Sequence, residues 1–143
     1  MTSYAEIFNL ALEEIDDALL AQLPEEELSN ELYGWLQVAI IKLPKLRDET
    51  SERDKFDATK ISTLGFVQTL SDVAKGALAL GMKRQWLAPQ IASTTNTLQR
   101  YSKKEGYSQK EHLSGLMELD KKIKTEIEKL LRDYTYVENN YFG

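Results

Sequence analysis

Between Gln109 and Tyr134 the chain keeps one helical period without a break. Leu113, Leu116, Met117, Ile123, Ile127, Leu130, Leu131 and Tyr134 recur at spacings that put apolar side chains along one helical face. Ser108-Gln109-Lys110-Glu111 has capping-box spacing and opens the run. Lys129 and Arg132 occupy its last turns, where cations suit the negative end of the helix dipole. A helix over residues 109–134 is about 39 Å long at 1.5 Å per residue. A compact domain of this length has a radius of gyration of about 14.5 Å. Such a helix spans the whole domain or protrudes from it, and the rest of the chain has to pack along its stripe.

The rest reads as shorter helices. Ser3-Tyr4-Ala5-Glu6 is a first capping box, and Ile7, Phe8, Ala11, Leu12, Ile15, Ala18 and Leu19 carry the period to about Gln22. Pro24 suits the first turn of a second helix, with Glu25, Glu26 and Glu27 at its positive dipole end and Leu28, Leu32, Trp35, Leu36, Ala39, Ile40 and Leu43 as its apolar face. Residues 45–59 are rich in charge and poor in apolar side chains, which suits a mobile loop or a solvated helical turn. Ile61 to Val67 mixes β-branched residues with glycine and reads as extended. Ser71 caps a further helix whose surface carries Ala74, Ala77 and Gly81. At Pro89 that helix is expected to bend or give way to a new one. The prediction is an all-α fold: a bundle of four to five helices over residues 1–134, with a long C-terminal helix and an extended aromatic C-terminal tail over 135–143.

Composition narrows the chemistry. The 143 residues contain no cysteine and one histidine, His112. Thiolate catalysis, Cys-ligated metals and multi-histidine sites within one chain are therefore excluded. Gly76 to Lys83 has glycines at phosphate-loop spacing, but Met82 stands where the lysine belongs and no Ser or Thr follows. Glu13, Glu14, Asp16 and Asp17 read as the solvated face of one amphipathic helix, His112 as a surface residue, and Trp35 and Trp86 as core anchors. The expectation is no enzyme, no cofactor, no metal and no small-molecule substrate. No apolar run approaches the roughly 20 residues of a membrane helix, and no basic segment precedes an apolar core at Met1. A protein used in a reducing cytoplasm, away from membranes, is expected.

Charge is unevenly spread. Residues 1–31 hold nine acids and no Lys or Arg, whereas residues 100–132 hold nine bases and six acids. A chain with one acidic and one basic end can stack head to side with copies of itself; solvated faces with no partner are the other reading. The aromatic run Tyr134, Tyr136, Tyr141 and Phe142 needs a surface to cover it, either its own domain or a neighbour.

Ala77 to Met82 with Trp86-Leu87-Ala88-Pro89, then Asn96-Thr97, Tyr107-Ser108-Gln109 with His112-Leu113, and Ile127 through Asp133-Tyr134-Thr135-Tyr136 to Asn140-Tyr141-Phe142, resemble a group of small structural proteins of tailed bacteriophages. The resemblance covers about residues 70–143. By size and helical character the chain resembles the head–tail connector adaptors of that group. The resemblance implies a virion protein of the neck, assembled in the host cytoplasm as a ring of copies below the portal protein. Other neck or tail proteins would be its neighbours, and packaged DNA would lie close by without specific contact. Tyr134, Tyr136, Tyr141 and Phe142 would be its partner-binding residues. A tail or baseplate component, or a small helical regulatory protein, are the alternative roles.

Overall fold

The computed structural model describes residues 1–98 and 107–142, and of residues 107, 108 and 135–142 the backbone only. The order is β1 (Thr2–Ser3), α1 (Tyr4–Glu14), α2 (Ala18–Ala21), α3 (Glu25–Lys42), a 3-10 turn (Pro44–Leu46), α4 (Arg47–Thr50), β2 (Gly65–Phe66), α5 (Asp72–Leu98) and α6 (Tyr107–Phe142). The all-α expectation holds, with one very short two-stranded ribbon added.

Helix α5 is the axis of the bundle, and α1, α3 and α6 all pack against it. Its sequence explains why one helix can serve three neighbours. Ala74, Ala77, Ala79 and Gly81 are buried among Leu78, Leu80, Met82 and Leu87, and small side chains let backbones approach closely. A Cβ on Gly81 would lie 2.9 Å from the Ala39 Cβ on α3. Pro89 neither bends the chain into a new helix nor ends this one: α5 runs unbroken through it to Leu98. Pro89 is exposed, and the helix on either side is anchored by buried Leu87 and Thr94. Packing at both flanks offsets the roughly 3 kcal/mol that an interior proline costs.

The first expected helix is split. Ile15 turns extended after α1 and Asp17 caps α2 from an extended conformation. Asp17 accepts the backbone N–H of Leu19 at 2.9 Å on one oxygen and the indole N–H of Trp86 at 2.8 Å on the other. An aspartate that satisfies a helix start and a distant tryptophan outweighs the three residues of helical continuity, 15–17, lost at the break.

The first part of the charged stretch 45–59 forms the 3-10 turn and α4, with Leu46 and Thr50 buried, and residues 51–59 follow as irregular chain. Behind them the N-terminus is stitched to the segment 61–70. Thr2 pairs with Phe66 and Ser3 with Gly65, antiparallel. The N–H groups of Tyr4 and Ala5, orphans of a helix start, donate to the carbonyls of Leu64 and Ile61 at 2.9 Å each. Ser3 Oγ accepts from Glu6 N–H at 3.2 Å, as the capping box requires. Glu6 does not reach back to Ser3; it pairs with Lys75 at 2.8 Å. Around Tyr4 lie Phe8, Tyr33, Phe56 and Phe66, each with its ring centre 5.5 to 6.3 Å away.

Helix α6 starts at Tyr107 and continues to Phe142, so the backbone over 135–142 is helical where the sequence suggested an extended tail. Arg84 holds Asp120 with two hydrogen bonds, 2.8 and 3.2 Å, and Gly76 faces Leu130. These two points set an antiparallel register that places Asp72, the first residue of α5, opposite about residue 133. The last eight residues of α6, about 12 Å of helix, run past the start of α5.

Candidate functional site

Three grooves lie along the α5–α6 pair; one, of about 620 Å³, runs between Arg84, Leu98 and the first half of α6, and the other two open on opposite sides. At about 100° per residue, Gly81, Arg84 and Gln85 occupy one side of α5, and Lys75, Gly76 and Ala79 the opposite side. On α6, Lys124, Ile127, Glu128 and Leu131 share one side, and Glu126 lies on the other. The two sets define two clefts that face away from each other.

The first cleft lies between α3, α5 and α6. Its floor is Ala39, Leu43, Gly81, Ile127 and Leu131, its rim Lys42, Arg84, Gln85, Lys124 and Glu128, and its volume about 200 Å³. Arg84 is engaged by Asp120. Lys42 and Lys124 have no carboxylate partner among the described residues. With Lys42 and Lys124 set against Glu128, the cleft is apolar inside and carries a small net positive charge at its mouth. That volume falls below the roughly 300 to 1,000 Å³ of ordinary small-molecule sites; it suits one inserted side chain better than a cofactor.

The second groove lies between α1, α5 and α6. Glu6, Glu13, Glu14, Asp72 and Glu126 surround it, with Lys75 as the one cation in its lining. Lys75 pairs with Glu6, which raises the ammonium pKa. Lys83 approaches Glu14 at 3.8 Å. The contacts of α1 and α2 fall on this side of α5, since both Lys83 and Trp86 lie there by helical phase. The side is negative, and it continues into α2, where Asp16 is exposed and Asp17 is held below the usual carboxylate range by the Trp86 indole and the Leu19 N–H.

The residues singled out from sequence fall as follows. Tyr134 is half-buried and packs against the bundle core. Tyr136, Tyr141 and Phe142 lie in the terminal turns of α6, and their side chains are outside the described residues. Gly76 to Lys83 is helix interior in α5. His112 is exposed on α6, and Trp35 and Trp86 are half-buried. Glu13 and Glu14 line the acidic groove, whereas Asp17 belongs to the cap and the indole. Among the described residues, no three His, Asp or Glu side chains are grouped to hold a metal, and no helix is long and apolar enough to cross a membrane. Sequence reading missed the basic cleft, because its cations come from three helices. Its one trace was the charge asymmetry between the two ends of the chain.

No protein family, curated protein or solved structure matches this chain.

Proposed function

We propose that the chain is a non-enzymatic structural subunit of a tailed-phage neck, a head–tail connector adaptor that assembles with copies of itself into a ring below the portal. The observation that carries this reading is the pair of clefts of opposite charge on opposite sides of α5. One molecule cannot satisfy both. A second copy can offer its negative side to the positive side of the first, and the leftover surfaces repeat the contact. A heterologous contact of this kind closes into a ring when its rotation closes. Complementary potentials also fix the register and suppress wrong pairings. The overhanging end of α6 adds a projection suited to gripping a neighbour, with Tyr136, Tyr141 and Phe142 as the docking residues, while Tyr134 anchors its base. The portal and other neck or tail proteins would be the outer partners, and the virion the location.

Electron microscopy of the purified chain at low ionic strength tests the reading. Closed rings with an axial passage are the expected result. A field of single subunits, or of open filaments only, contradicts a ring-forming adaptor.

A further inference from the structure

The basic cleft has an apolar floor, so charge alone does not fill it; something greasy has to enter. We propose that its occupant is the α2 turn of a second copy, with Leu19 as the inserted side chain. The proposal rests on the self-assembly reading above and specifies where the contact is made.

Leu19 is 70% exposed although it belongs to the apolar series of the first helical segment, and Leu23, one turn on, is 37% exposed. Both leave the core because the chain turns extended at Ile15 and Asp17 starts α2 anew at the Trp86 indole. The turn is thereby presented as a short apolar knob. Its sequence neighbours are acidic: Asp16 precedes it and Glu25, Glu26 and Glu27 follow it, all exposed, with Lys60 the cation that shares a pocket with Glu25 and Glu26. The cleft is the complement, with an apolar floor and unpaired Lys42 and Lys124 at its mouth.

The knob cannot reach the cleft of its own chain. Asp17 is fixed to Trp86, and Trp86 points by helical phase to the side of α5 opposite Gly81, Arg84 and Gln85. Knob and cleft therefore face apart on each subunit, which makes their union heterologous and propagating. The cleft is also too small for most small-molecule ligands, and a single aliphatic side chain with charged flanks meets both its shape and its sign.

Two variants test this, each with an intact fold checked by circular dichroism. Leu19→Glu spoils the knob and leaves the cleft; Lys42→Glu with Lys124→Glu spoils the cleft and leaves the knob. All the residues changed are exposed. Each variant alone should lose self-association by about tenfold or more, read by sedimentation velocity on the full chain. Mixed in equal amounts, they should form a heterodimer and nothing larger, because one good knob meets one good cleft and the remaining pair is dead. If the unsubstituted chain assembles and the variants assemble equally well, or the mixture stays monomeric, the seat is elsewhere and only this proposal falls. If the unsubstituted chain is monomeric throughout, the self-assembly reading falls with it.

Discussion

Replacing Gly65 by alanine should cost about 3 kcal/mol, one of the largest effects of any single methyl group in this chain. Gly65 has ordinary negative φ, so its freedom of conformation is not what matters. Space is. A Cβ there would lie 2.1 Å from the Thr2 carbonyl oxygen and 2.6 Å from the Ser3 Cα. Both are backbone atoms and neither can rotate away, so the two strands must part. Gly65 also takes the Asp54 N–H on its carbonyl at 2.8 Å and gives its own N–H to Asp54 Oδ2 at 3.0 Å. Moving it loosens the ribbon, the 53–54 segment and the start of α1 together. Chemical denaturation monitored by far-ultraviolet circular dichroism should show a lower midpoint with an unchanged slope. A shift under 0.5 kcal/mol, within the usual range for a surface change, would mean that the strands do not approach as described.

Tyr4→Ala should be costlier still, about 4 kcal/mol. Tyr4 is fully buried at the centre of the aromatic cluster, and its hydroxyl donates to the Asp54 carbonyl. Tyr33 and Phe56, stacked 4.0 Å apart, would lose the edge that both lean on. For a domain near this size the melting temperature should fall by roughly 10 to 20 °C. The milder Tyr4→Phe separates packing from polarity. It keeps the ring, removes one donor and should cost about 1 kcal/mol near neutral pH.

The same hydroxyl gives a pH signature. Burial, then the nearby Tyr33, push its pKa from 10.0 to about 12. The folded state holds this proton more tightly than the unfolded state. Its contribution is complete below pH 10 and is lost as pH rises through about 12. The loss is on the order of 2 to 3 kcal/mol. Phenylalanine has no proton to lose. Tyr4→Phe should therefore be the less stable protein at pH 8 and the more stable one near pH 12, the two denaturation midpoints exchanging order between the unfolded and folded pKa values. Parallel curves from pH 8 to 12 would show that the hydroxyl is not buried.

What could be read in the sequence follows from how local each cause is. Helices α3, α5 and α6 announced themselves because their apolar residues recur within each helix, and the caps at Ser3 and Ser71 because their partners lie three residues on. The break at Asp16-Asp17 was hidden, since those acids match a solvated helical face until Trp86, 69 residues away, is brought to Asp17. Order in residues 45–59 was equally hidden. Leu46 and Thr50 are buried there, the Glu49 carboxylate accepts from Ser71, and Tyr4 bonds to Asp54, all contacts that no local window contains. Pro89 was read as a boundary because its local cost is visible and the packing that offsets it is not. The same holds for the candidate site. Nine acids without a base in residues 1–31 showed that charge was segregated. Only helical phase on α5 shows that the two signs face in opposite directions.

That opposition is the centre of the functional reading, and it can be measured directly. Chains labelled with ¹⁴N and ¹⁵N, mixed and allowed to assemble, can be joined by a carbodiimide, which links only lysine and carboxylate groups already in contact. Mass spectrometry then separates links within one chain from mixed-isotope links between two. Mixed links joining Lys42 or Lys124 to Asp16, Glu25, Glu26 or Glu27 are the expected result. Assembly with mixed links confined to other surfaces, or links within single chains only, would contradict a subunit whose positive side receives the negative side of the next.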